Sequence, residues 1–286
     1  MKKLLLLLLL ITSLSFSKED IRAVSTSQFT TEILLAIGVE KQLLGTAFLD
    51  DEILPELKEK YDKIPVLSKG APTKEQFYAL NPNFLTGWKS IATPKNLGTI
   101  DELRGNGVEV VFTKSQDSSK IEDVYDDILM FGDIFDLKES AKSVVENMRK
   151  DIAKVKENKK NGKKIKVFAY DSQESAPFVV GGSGIGNTII EIAGGKNIFE
   201  DTNFSFGVGT WEKVLDENPE VILVIDYGNT PYEEKVKYLK NSSPISQLEA
   251  VKRERFLRVP LSYISPGVKI SKGIEMISNG LREEKK

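Results

Sequence analysis

The chain has 286 residues, 40% of them hydrophobic and 29% charged, and its 40 basic and 42 acidic residues leave a net charge of −2. It contains no cysteine and no histidine, which excludes disulfides, thiolate nucleophiles, Cys/His zinc sites, Ser-His-Asp triads and axial-histidine haem ligation. Without a basic excess there is no general footprint for nucleic acid, and the length suffices for one large core or two modest ones.

Met1-Lys2-Lys3, the apolar run 4–11 and the small residues Ser15 and Ser17 around Phe16 form the pattern of a secretory signal peptide over residues 1–17. The apolar run is far shorter than the roughly 20 residues that cross a bilayer. No cysteine follows to carry a lipid, so the mature chain is expected free in the periplasm.

Residues 21–24 read as a strand, 29–37 as a helix stopped at Gly38, and 43–46 as a second strand. Further strands are expected at 83–86 and 108–113. This alternation predicts a largely parallel sheet covered by helices. From residue 120 the pattern turns helical, with Ile121, Val124, Tyr125, Ile128 and Leu129 on one stripe. Gly132-Asp133 and Phe135-Asp136 interrupt it, and a longer helix follows to about residue 158, some 20 residues or about 30 Å long. A second series then begins, with strands expected at 166–170, 178–180, 221–225 and 257–260. The expected organisation is an α/β chain of two lobes, 18–136 and 161–286, joined by the helical segment 137–160.

Two segments share one plan. Glu75 and Glu212 each open a two-turn helix that ends six residues later at Asn-Pro (Asn81-Pro82 and Asn218-Pro219), with an apolar strand directly after. Proline ends such a helix because it lacks an N–H and restricts its predecessor. One copy is an ordinary αβ unit; two copies, one in each half, point to lobes of similar build.

The run Gly181-Gly182-Ser183-Gly184-Ile185-Gly186 matches neither phosphate-binding register, so a tight strand-to-helix turn lining a cleft is expected, with a helix from residue 188 to 193. The carboxylates of Asp50-Asp51-Glu52 and Asp126-Asp127 form no recognisable acid/base pair, and most read as solvated loop or helix faces. Trp88 and Trp211 read either as core residues or as cleft walls for a flat ligand.

The ordered set of blocks resembles the class III periplasmic substrate-binding proteins of ABC importers, the iron–siderophore and cobalamin type. The blocks are Val24 to Leu34 with Ala36-Ile37-Gly38, Ile64 to Gly70, Glu75 to Leu85, the long central helix, Gly181 to Gly195, and Trp211 to Ile225. The resemblance spans nearly the whole mature chain. It implies two lobes bridged by a rigid helix, a ligand held between them, and no catalysed reaction. It also implies that Glu75 and Glu212, one on each lobe, dock onto arginines of the permease dimer; favourable placement at helix N-termini is the local alternative for both. Metal-ion relatives of this fold ligate zinc or manganese through histidines, which this chain lacks, so no metal ligands are assigned. The expected cargo is therefore a chelated metal, foremost a ferric siderophore, carried by a monomer without a resident cofactor. Cobalamin or another corrinoid, haem and an oxyanion stay open. So does a deazaflavin-coenzyme precursor, since residues 44–51 and 65–72 also resemble a branch of the family assigned to that cargo. A secreted carboxylate-dependent hydrolase and an adhesive surface protein are the readings from other classes.

Open α/β sheets bind ligands beyond the carboxyl ends of their strands. In the first half this rule selects Ser27, Gln28, Phe48, Asp50, Lys69, Trp88, Lys89 and Lys114. In the second it selects Tyr170, Asp171, Tyr227 and Tyr263. Lysines suit an anionic chelate and aromatic rings its planar ligands.

Overall fold

The computed structural model describes residues 21–157, 163–172, 175–228 and 230–282; the leader at 1–17 and residues 158–160 of the expected inter-lobe segment lie outside them. The first lobe is built from β1 (Ala23–Thr26), α1 (Gln28–Ile37), β2 (Leu43–Ala47), α2 (Pro55–Tyr61), β3 (Val66–Ser68), α3 (Lys74–Ala79), β4 (Phe84–Gly87), α4 (Ile100–Gly105) and β5 (Glu109–Val110). Its five strands are all parallel, in the order β3-β2-β1-β4-β5. Crossover connections of this kind bring the carboxyl ends of the strands to one edge. The strand expected at 108–113 is only two residues long, and the one expected at 21–24 lies two residues later.

Two antiparallel helices follow, α5 (Ile121–Ile134) and α6 (Lys138–Glu157). A Cβ added at Gly132 would come within 2.5 Å of the Ala141 Cβ, so the glycine permits their close approach. α6 buries Ala141, Val145, Met148, Ile152 and Val155, spaced four and three apart, keeps Val144 and Asp151 half-buried, and exposes the rest to water.

The second lobe comprises β6 (Ile165–Ser172), β7 (Phe178–Val180), α7 (Ile185–Ala193), β8 (Gly195–Asn197), β9 (Phe206–Val208), α8 (Trp211–Glu217), β10 (Val221–Asp226), α9 (Tyr232–Asn241), α10 (Glu249–Lys252), β11 (Phe256–Pro260) and α11 (Ile270–Arg282). Its sheet runs β11-β10-β6-β7-β9, with β8 also paired to β6. β6, β8, β10 and β11 are parallel, whereas β7 is antiparallel to both β6 and β9.

A single hydrophobic cluster runs from α1 and α5, across the stripe of α6, into β6, α7 and α11. Separate clusters fill the outer sides, Phe77, Leu85 and Leu103 in the first lobe and Phe168, Trp211 and Ile222 in the second. Because α6 sits inside the continuous cluster, bending the lobes about it would open packed apolar surface to water. Among the described residues no helix is long and apolar enough to cross a membrane.

The shared plan of α3 and α8 extends to their caps. Thr73 accepts from the Gln76 N–H and Thr210 from the Lys213 N–H, and Asn81 and Asn218 both take the left-handed conformation, at φ 49° and 44°. The threonines are therefore the capping residues, and each glutamate is the second residue of its helix. The glycine run is indeed a tight turn, but α7 begins at Ile185, earlier than expected. Cβ atoms at Gly181 and Gly182 would meet the carbonyl oxygens of Phe204 and Glu200 at 2.2 and 2.0 Å. These glycines let two backbone segments pack together; they do not cradle a phosphate.

Candidate functional site

The carboxyl ends of β1, β2 and β4 in the first lobe face the segment after β11 in the second. Ser27 caps α1 and is fully buried; its hydroxyl is 2.7 Å from that of Thr30, which in turn lies 2.7 Å from the Ser25 hydroxyl. Gln28 is equally buried, and its Oε1 accepts the backbone N–H groups of Asp50 (2.8 Å) and Asp51 (2.9 Å). These two candidates shape the floor of the site and offer no exposed atom of their own.

Gln28 holds the 50–52 loop in place to clasp the other lobe. Lys269, 1% exposed, points its ammonium at Glu32 (3.1 Å) on α1 and at Asp51 Oδ1 (3.0 Å). It also donates to the Ser262 Oγ (2.9 Å) and the Glu52 carbonyl (2.5 Å). Asp51 takes the Ser262 N–H (2.9 Å) and hydroxyl (2.5 Å) besides, and Gln28 Nε2 donates to it at 3.1 Å. Burial raises the pKa of Glu32, and the Lys269 charge opposes that shift. Glu32, Asp51, Ser262 and Lys269 were not among the expected site residues. The available signal was one lone charge of each sign in an apolar setting, Glu32 before Ile33-Leu34-Leu35 and Lys269 between Val268 and Ile270, since buried charges occur paired.

Beside the clasp the walls are open. A cavity of about 730 Å³ is bordered by Leu49, Asp50, Asp51, Ile53, Lys58 and Tyr61. A second, of about 470 Å³, is bordered by Ser172, Ser175, Phe178, Val208 and Tyr227. Asp50 borders the first and Tyr227 the second, and the Asp50 charge acts on Tyr227 from across the lobe junction. Leu49 and Val208, one on each side, are 42% and 65% exposed. Trp88 is half-buried at the end of β4, edge-on to Phe29 with centroids 4.8 Å apart. Phe48 is half-buried at φ 57°, packed on the outer cluster of its lobe. Tyr263 is half-buried with the Lys269 ammonium 5.1 Å from its ring centroid.

Two carboxylates on these walls are poorly served. Asp50 accepts no hydrogen bond among the described residues, and burial, helped by the Asp51 charge, pushes its pKa up to about 6. Asp171, at the end of β6 and 2% exposed, receives the Tyr227 hydroxyl at 3.2 Å on Oδ2, while its Oδ1 has no hydrogen-bond partner among the described residues. Burial raises its pKa too, against the nearby Lys235 ammonium and neighbouring hydroxyls.

The other expected site residues are placed differently. Tyr170 is not at the cleft but inside the second lobe, 2% exposed, with its ring centroid 5.8 Å from that of Phe168 and 6.2 Å from that of Trp211. Trp211 belongs to the same core and donates to the Ser175 carbonyl at 3.1 Å. Lys89 is paired with Asp117, and Lys114 with Asp123 at 2.6 Å. Lys69 is exposed beyond β3. These lysines do not line either cavity. Of the acidic pairs, Asp127 is buried and accepts the Lys114 and Ser115 N–H groups, so it shapes a loop and is not a solvated face. Glu75 and Glu212 are exposed, and neither carboxylate accepts a hydrogen bond among the described residues.

The chain belongs to the periplasmic binding protein family, whose profile matches residues 24–262. It is similar to a solved periplasmic binding protein from Veillonella parvula, with 32% identity and a TM-score of 0.85 over 91% of this chain and 90% of that one. It is also similar to the vitamin B12-binding protein of Yersinia pseudotuberculosis, 23% identical over 71% of this chain and 69% of that protein. The periplasmic haem-binding protein HutB of Vibrio cholerae shares the fold, with a TM-score of 0.75 at 21% identity over 92% of this chain and 99% of that one.

Proposed function

Starting from that family, we propose that the chain captures a chelated metal between its two lobes, foremost a ferric siderophore, and delivers it to the permease dimer of an inner-membrane importer. The observation that carries the reading is a pair of cavities, one on each lobe, bordered by Asp50 and by Tyr227 and lipped by exposed Leu49 and Val208, beside a clasp that ties the lobes together. A ligand site needs an apolar concavity with a few placed polar groups, which this junction supplies. Two of the similar proteins named above carry vitamin B12 and haem in their names, and both ligands are chelated metals. The protein acts as a monomer in the periplasm, exported by residues 1–17 and free of lipid.

Docking falls to Glu75 and Glu212. Threonines already cap both helices, so the two carboxylates are left exposed at equivalent positions of the two lobes. Leu215, 41% exposed, lies three residues beyond Glu212 on the same helical face.

The test is a titration of Trp88 emission with a ferric siderophore, haemin and cyanocobalamin. The reading expects saturable binding of one of them at micromolar concentration or below, lost in fluorescence when Trp88→Phe removes the reporter. Binding of none overturns it. Turnover of an ester or glycoside that disappears with Asp50→Asn would instead establish the hydrolase.

A further inference from the structure

The open walls carry hydroxyls at Tyr61, Ser172 and Ser175, and two acceptors stand out on them. The Tyr227 hydroxyl gives its proton to Asp171, so towards the 470 Å³ cavity the phenol oxygen presents lone pairs. Asp50 faces it from the other lobe with an unengaged carboxylate. Behind that oxygen Asp171 Oδ1 is buried and has no hydrogen-bond partner among the described residues, an arrangement that is disfavoured unless something completes it.

The positive groups nearby are already spent. Lys235, 3% exposed, donates to the Ile225 carbonyl at 2.6 Å and lies 4.9 Å from the Tyr227 ring centroid. Lys269 is committed to the clasp, and Lys58 on the rim is paired with Asp62. These pairings leave the Asp50 carboxylate on the cavity wall with no hydrogen-bonded partner among the described residues. An unpartnered carboxylate on the wall is contrary to what an anionic chelate needs.

We propose that Asp50 and the Asp171-backed Tyr227 form an acceptor-only subsite, which takes a cationic or N–H donor group of the ligand and discriminates against anionic ligands. The inference rests on the binding function proposed above and narrows it: the ligand is a neutral or cationic chelate with an amine or amide projecting from it. A tetrapyrrole that turns carboxylates towards this junction is disfavoured.

The experiment compares two chelates that differ in one charge, iron(III)–desferrioxamine B with its free ammonium and the same chelate N-acetylated. Calorimetry of the whole mature protein is run beside haemin and cyanocobalamin. A charge-assisted hydrogen bond corresponds to roughly tenfold in affinity or more. The ammonium form should therefore bind about tenfold tighter than the acetylated one, and haemin weakest. Asp50→Asn and Tyr227→Phe should each shrink the preference towards parity while the protein stays folded. Asp171→Asn is the third variant, and if it fails to fold the two cleft-facing variants still decide. Equal binding of both chelates, a preference unmoved by Asp50→Asn, or tightest binding of haemin overturns the subsite and leaves the binding function standing. Binding of no compound overturns the function itself.

Discussion

Asp50 and Asp51 are neighbours in the chain and opposites in the structure. Asp51 spans the lobes with both oxygens engaged by Ser262, Lys269 and Gln28. Asp50, one residue earlier, accepts no hydrogen bond among the described residues and is pushed up to about pH 6 by burial. The same contrast separates the clasp, where Lys269 serves Glu32 and Asp51, from the far wall, where Asp171 keeps an orphan oxygen. A polar group that folding has satisfied supports the architecture. One left unsatisfied beside a cavity is open to a partner that folding does not supply.

The largest effect should come from breaking the satisfied side. Lys269→Met leaves Glu32 and Asp51 buried without their counter-charge, which should cost about 3–5 kcal/mol in urea denaturation. Combining it with Glu32→Gln should recover part of that loss. If Lys269→Met unfolds like the wild type, the clasp does not hold the lobes.

The unsatisfied side should respond in the opposite direction. The Asp50 carboxyl titrates near 6 when folded and near 3.8 when unfolded. Between those values the folded state holds the extra proton, so stability falls as pH rises through the window and stays low above it. Asp50→Asn should therefore raise stability at pH 7 by up to roughly 2 kcal/mol and flatten the melting temperature between pH 4 and 6. A destabilised Asn variant would mean that the carboxylate is structurally satisfied after all.

The recurrence of α3 and α8 was legible because it rests on local chemistry: a glutamate, a two-turn helix and an Asn-Pro stop sit at fixed spacing in both copies. The helix stop at Gly38 was readable for the same reason, whereas α5 runs through the break expected at Gly132-Asp133 and ends only at Ile134. Tyr170 was not, because β6 is covered on both faces, and Val167 to Asp171 are all buried. Its period-two signal therefore vanishes. The lysines failed for a different reason. Lys89 lies 28 residues from Asp117 and Lys114 nine from Asp123, so only the folded chain shows that they are engaged. The mixed strand order around β7 and the orphan oxygen of Asp171 are likewise products of tertiary packing.

Smaller effects sharpen the contrast. Tyr227→Phe removes one hydrogen bond from Asp171 and should cost about 1 kcal/mol in thermal melting, less than the clasp by severalfold. A loss as large as that of Lys269→Met would make Tyr227 structural and not part of a ligand wall. Glu75→Arg and Glu212→Arg, at exposed positions, should each change stability by no more than about 0.5 kcal/mol and leave ligand affinity intact. Transporter-coupled uptake should fall steeply, because charge complementarity governs encounter and register. Normal uptake by the folded double variant would remove the docking role.

The most direct test follows the Asp50 carboxyl by carbon NMR, in the free protein and in protein saturated with gallium(III)–desferrioxamine B, a diamagnetic counterpart of the ferric chelate. The midpoint should lie near 6 in the free protein and drop by about one unit or more on loading, as the ligand's ammonium takes the place of missing partners. A midpoint near 3.8 without ligand, or one that does not move at saturation, would contradict the account.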